Sequence, residues 1–255
     1  MRGDADPDPV PFSVSVQGAH LAFGGAALFD GLDLTLEGGR WTCLLGPSGV
    51  GKSALLRLIL GLEAGRGARA TVTCSDRRPL AGRAAYMAQR DLLLPWLTVL
   101  DNVVLGHRLR RSRDETGANA RARHLLARVG LAANAADRPD ALSGGMRQRA
   151  ALSRTLLEDR PVVLMDEPFS AVDAITRVRL QELAADVLGG RTVLLVTHDP
   201  LEALRLGHCV RVMAGRPATV GDALRPPGPP PRRVDDPAVL ELQGVLLRRL
   251  AEAAG

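Results

Sequence analysis

The sequence predicts an α/β protein built on a buried parallel sheet, with a helical block inserted into its middle third. Three observations carry that expectation. The apolar run Trp41 to Leu45 enters a glycine-rich loop, and an apolar-periodic stretch, Ala54 to Leu62, follows it. Two further short apolar runs, Val162 to Met165 and Thr192 to Val196, each lead through polar residues into a helical pattern. Between about residues 90 and 158, helical periodicity recurs without an intervening strand.

Taken in order, residues 1–11 are acidic and proline-rich and read as a disordered lead without the features of a secretory signal. Phe12 to Gln17 and Leu32 to Leu36 alternate like half-buried strands, and Leu21 to Gly25 between them reads as a turn exposing Phe23. Gly61 to Gly82 suggests short strands and turns, and Arg83 to Ala88 a further strand leading to Gln89. Helices are expected over Asp101 to Arg111 and Arg121 to Val129, with a polar loop around residues 113–118. Ser143 is a natural N-cap for a helix reaching Glu158, and Ile175 to Leu188 is amphipathic. Asp199-Pro200 supplies an N-cap and an N1 proline for the next helix. The domain is therefore expected over residues 12–215, with a Pro-rich linker and a terminal helix over residues 216–255.

Composition narrows the function classes. The 255 residues are 46% hydrophobic, 24% charged and only 3% aromatic, so the core must rest on Leu, Val and Ala. The net charge is +5, but the arginines are scattered among acids and form no basic block, so nucleic acid is not expected as a partner. Cys43, Cys74 and Cys209 lie far apart without metal-ligand spacing and read as small buried hydrophobes. No apolar run approaches the roughly 18 residues of a spanning helix, so the chain is not expected to cross a membrane itself.

The chemistry concentrates in three stretches. Gly46-Pro47-Ser48-Gly49-Val50-Gly51-Lys52-Ser53 is a G-x-x-x-x-G-K-[ST] pattern between a strand and a helix. Backbone N–H groups of Gly49 to Ser53 suit phosphate oxygens at a helix N-terminus, Lys52 the β- and γ-phosphates, and the Ser53 hydroxyl Mg²⁺. Of 33 Lys and Arg residues, Lys52 is the single lysine. A compact ammonium fits such a loop where a planar guanidinium does not. Asp166, at the end of an apolar strand, is placed to hold Mg²⁺, and Glu167 to polarise an attacking water. Ser143-Gly144-Gly145 opens a helix and forms a second anion site.

Leu-Ser-Gly-Gly-Met-Arg-Gln-Arg at 142–149, with the two preceding motifs in the same order, resembles the nucleotide-binding subunit of ABC transporters over about residues 12–215. That resemblance implies a RecA-like P-loop NTPase core, an antiparallel β part and an inserted helical signature subdomain. It implies ATP and Mg²⁺ as ligands, with Ala54 completing the phosphate loop where a hydroxyl residue is usual. Gln89 matches the Q-loop glutamine of the Mg²⁺ and γ-phosphate site, Asp173 the D-loop, and His198 the switch histidine. Phe23 matches the aromatic that stacks on adenine, and Trp96 lies where the family meets its membrane subunit.

The same resemblance implies a head-to-tail dimer with ATP between the P-loop of one copy and Ser143-Gly144-Gly145 of the other. Its further partners would be permease subunits and, through them, a solute-binding protein, at the cytoplasmic face of the inner membrane. Among importers, the stretches around Gln89, Trp96 and His198 resemble the nitrate, sulfonate and taurine group, and most of all its hydroxymethylpyrimidine (thiamine precursor) transporters. A soluble repair or translation ATPase is the alternative class, but no coiled-coil insertion or second cassette is present in the sequence.

Overall fold

The apolar pentads become the centre of one sheet. The computed structural model describes residues 10–63, 67–111 and 114–254, and residues 1–9 of the expected lead lie outside it. The strands are β1 (Val14–Phe23), β2 (Ala26–Leu36), β3 (Trp41–Leu45), β4 (Arg69–Cys74), β5 (Ala84–Met87), β6 (Val162–Asp166), β7 (Thr192–Val196), β8 (Cys209–Ala214) and β9 (Thr219–Val220). The helices are α1 (Lys52–Ile59), α2 (Val99–Leu109), α3 (Glu115–Arg128), α4 (Gly144–Leu157), α5 (Ala174–Val187), α6 (Pro200–Leu206) and α7 (Pro237–Ala254).

Six strands are ordered β5-β6-β7-β3-β8-β9, parallel except for β9, and three form a separate antiparallel sheet ordered β2-β1-β4. Side-chain alternation divides the core in two. Cys43, Leu45, Val163, Met165, Val193 and Leu195 face a cluster shared with α2 to α7. Leu44, Val162, Leu164, Leu194 and Val196 face the opposite side, shared with α1 and the antiparallel sheet. Covering both faces is what allows β3, β6 and β7 to be apolar throughout, each buried at all five positions.

Several boundaries differ from the sequence expectation. β1 runs through to Phe23, and the turn narrows to Gly24-Gly25, both at positive φ. The stretch around 113–118 is not a loop throughout. Asp114 caps α3 by accepting from the Gly117 N–H at 2.9 Å, and Ala118 and Ala122 are fully buried on that helix. β8 has no counterpart in the sequence reading, yet its Thr42↔Cys209 to Leu45↔Val212 pairing covers the outer edge of β3.

The stretch read as a linker is tied to the domain. The Arg232 guanidinium is buried and donates to the carbonyls of Pro226, Pro227, Gly228, Leu204 and Gly207. Its own carbonyl accepts from Arg205 Nε at 2.9 Å. Proline-rich backbone offers carbonyls with few N–H groups, so one guanidinium with five donors can gather them. Beyond it, α7 packs on α6 and β8, burying Val239 and Leu246.

Candidate functional site

The strand register sets the site. Asp166 pairs with Val196, and Val196 with Leu44, so β6, β7 and β3 end at one level and their following loops share an edge. In open α/β sheets this carboxyl edge is where ligands bind. Gln89, two residues beyond the end of β5, joins the same edge because Met87 pairs with Met165.

The loop after β3 is closed by glycine. A Cβ on Gly46 would lie 2.3 Å from the Met213 carbonyl oxygen, and one on Gly51 2.6 Å from the Phe29 ring. Pro47 is half-buried, Ser48 and Gly49 are exposed, and Val50 and Ala54 are buried. Lys52 begins α1 with its side chain buried, and its Nζ donates to the carbonyls of Gly46 at 2.7 Å and Pro47 at 3.0 Å. Burial lowers the Lys52 pKa, while Glu167 and Asp166 oppose that shift.

Asp166 is buried, and burial raises its pKa against the hydrogen bond from Ser53. Two hard oxygen donors therefore already meet where the loop and β6 converge, the donor type that Mg²⁺ takes.

Glu167 occupies the left-handed region at φ 51, a strained backbone for a residue with a side chain. Hydrogen bonds to its backbone hold the strain. Its N–H donates to the Val196 carbonyl at 2.9 Å, and its carbonyl accepts from Gln148 Nε2 at 2.8 Å and Ser170 Oγ at 3.1 Å. The result aims the carboxylate at two neighbours: Gln89 Nε2 lies 3.3 Å and His198 Nδ1 3.2 Å from Oε2. Gln89, Glu167 and His198, from three separate loops, thus converge beside Lys52 and Asp166.

Ser143, Gly144 and Gly145 stand apart at the start of α4. Ser143 Oγ accepts from the Met146 N–H at 3.3 Å, and Ser143 and Gly144 are exposed. Asp173 caps α5 through the Thr176 N–H at 3.0 Å, and those Thr176 bonds lower its pKa. Phe23 ends β1, and its side chain lies outside what the structure describes. Trp96 is 66% exposed.

Sequence reasoning gave no role to Gln148, yet it joins the two halves of this layout. Its Nε2 donates to the Glu167 carbonyl, and its Oε1 accepts from the Ala171 N–H at 2.7 Å. A glutamine just ahead of the apolar run Ala150-Ala151-Leu152 was the available signal. Arg147 is likewise tied to Asp91 at 3.1 Å, linking the start of α4 to the segment after Gln89.

Residues 29–170 match the family described as ABC transporter. The chain belongs to that family. An uncharacterized ABC transporter ATP-binding protein of Haemophilus influenzae is 42% identical over 93% of this chain and 98% of its own length. An aliphatic sulfonates import ATP-binding protein of Rhodococcus jostii is 46% identical over 87% of this chain and 86% of its own. Among solved structures, a dimeric ATP-binding cassette in a post-hydrolysis state, bound to ADP and Pi, superposes with a TM-score of 0.73 at 26% identity. That likeness covers 84% of this chain and 99% of the other. The fold is that of an ABC cassette, and this chain is an ATP-hydrolysing, ATP-binding subunit of the ABC transporter family.

Proposed function

We propose that the chain energises import of aliphatic sulfonates through a separate permease pair. The convergence of Gln89 and His198 on the Glu167 carboxylate, beside Lys52 and Asp166, is the observation that carries the hydrolytic part. Lys52 exchanges its two loop carbonyls for the β- and γ-phosphates, cradled by the N–H groups of Gly49 to Ser53. Ser53 and Asp166, with Gln89, would hold Mg²⁺, which would supply positive charge to offset that of the phosphate oxygens. Glu167 orients the attacking water, and His198 contacts the γ-phosphate.

Ser143, Gly144, Gly145 and Asp173 complete the site of a second copy, and Phe23 meets the adenine. The exposure of Ser143 and Gly144 at the start of α4 supports this reading, because it leaves that helix end open to a surface from outside the chain. The permease, and a solute-binding protein beyond it, are the remaining partners, at the cytoplasmic face of the inner membrane. Among the described residues no helix is long and apolar enough to cross a membrane.

The relatives named for a solute favour sulfonate over the hydroxymethylpyrimidine read from the sequence, and the sulfonate reading replaces it. The residues of the ATP site do not touch the solute, so uptake decides. Deleting the gene in its host is expected to abolish uptake of a labelled alkanesulfonate and leave hydroxymethylpyrimidine uptake intact. The reverse pattern overturns the sulfonate assignment.

A further inference from the structure

Behind His198 lies a buried carboxylate that the hydrolytic scheme does not use. Glu202, on the first turn of α6, is 4% exposed. It lines a cavity of about 10 Å³ together with Glu167, Ser170, Arg177, His198 and Asp199, so it borders the same small space as the catalytic carboxylate. One of its oxygens accepts from Gln181 Nε2 of α5 at 3.0 Å, and Thr197 lines the same cavity.

Thr197 is itself buried and fastened at several atoms. Its N–H donates to the Leu44 carbonyl at 3.2 Å, and its Oγ1 accepts from the Asp199 N–H at 3.0 Å. With that lone pair engaged, the hydroxyl hydrogen is free to point at Glu202. Asp199, on the other side of the histidine, accepts from the Leu201 N–H and is paired with Arg177 at 3.2 Å. His198 thus projects from a three-residue loop whose flanking residues are both anchored, and Glu202 shares one cavity with all three.

We propose that Glu202 is a positioning residue for ATP hydrolysis: as a carboxylate it orients Thr197 and so fixes the loop that holds His198 against Glu167. The inference rests on the role given above to His198. Burial raises the Glu202 pKa to about 7, with the hydrogen bonds from Thr197 and Gln181 opposing the rise. The titratable and charged groups that face it are Asp199 of the same loop, Arg177 of α5, Arg205 of α6, and Glu167 and His198 round the small cavity. The Cys43 thiol of β3, itself raised by burial, is the titratable group beneath it. From α7, which packs on α6, the buried residues are Val239 and Leu246.

The sign of the linkage separates positioning from support of the fold. A carboxyl whose folded pKa is raised contributes stability below its unfolded value, and that contribution is lost as pH rises towards about 7. The ionised form that orients Thr197 is therefore the form that weakens the fold. At pH 8, Glu202→Gln in the full chain is expected to raise the melting temperature while lowering kcat for ATP about tenfold, the scale of a misplaced catalytic group. KM stays within about twofold, and the rise in kcat between pH 6 and 8 flattens. Thr197→Val lowers kcat similarly, Thr197→Ser restores it, and the Glu202→Gln/Thr197→Val pair is no worse than Thr197→Val alone.

Wild-type kcat in Glu202→Gln, additive losses in the pair, or a joint fall of kcat and melting temperature would overturn the proposal. His198→Ala measured alongside separates the two levels of argument. Full activity in His198→Ala removes the role given to His198, whereas its inactivity beside a normal Glu202→Gln removes only the role given to Glu202.

Discussion

Gly46 to Ser53 is wedged between a buried strand and a helix, with its lysine bonded to the carbonyls of its own loop. Ser143 and Gly144, by contrast, stand exposed on α4 with only the Met146 N–H engaged by the cap. Both stretches are glycine-rich helix starts, whose N–H groups suit an anion. The first is a cup in which glycine permits close approach on several sides and the lysine adds a full charge. The second offers the partial charge of one helix end, which in water is worth only about 0.3–1 kcal/mol. A site of the second kind becomes effective when another surface brings phosphate to it and excludes water, which is the physical reason for placing it against a second copy.

The comparison can be broken at its chemical centre first. Glu167→Gln is expected to lower kcat by about 10²–10⁴-fold, the range for a general base, while ATP still binds and holds two copies together. Sedimentation with ATP alongside phosphate release checks both halves, and near-wild-type turnover removes Glu167 from its role. Next comes the cup's charge: Lys52→Arg keeps a cation yet is expected to cost about 10²-fold or more in hydrolysis. Full activity there would mean that charge alone suffices.

Smaller effects sharpen the exposed half. Ser143→Asn keeps a capping side chain, so the melting temperature should hold while hydrolysis falls about tenfold and ATP binding by the single copy is unchanged. Loss of ATP binding in that variant would count against a site shared between copies. The smallest contrast concerns the fold. A Cβ at Gly46 strikes the Met213 carbonyl at 2.3 Å, whereas one at Gly144 finds only the tip of Arg147 at 4.0 Å. Gly46→Ala should therefore cost about 2 kcal/mol or more in thermal or urea unfolding, and Gly144→Ala less than about 0.5 kcal/mol.

Much of this layout is local and so could be read directly from residue order. β3, β6 and β7 are continuous apolar runs because both of their faces are covered, and the reactive residues follow at their ends because parallel register aligns those ends. The caps at Ser143 and Asp199 are short-range hydrogen bonds between near neighbours. What escaped is held by partners distant in sequence. The Gln148 bonds to Glu167 and Ala171 span 19 and 23 residues, and the Arg232 bonds to Leu204 and Gly207 span 28 and 25. No periodicity encodes such pairs. β8 escaped for a related reason: a Val-Arg-Val alternation is short, and pairing with β3 and β9 makes it a strand.

The seclusion of Lys52 turns a compositional accident into a reporter. It carries the only ε-amine in the sequence, so a lysine-specific endoproteinase can cut the chain at one bond, into residues 1–52 and 53–255. An amine-acylating reagent likewise has one side-chain target, already shielded by burial. Cleavage after Lys52, or acylation read at that side chain, therefore reports the exposure of the phosphate loop, with every other cationic side chain being arginine.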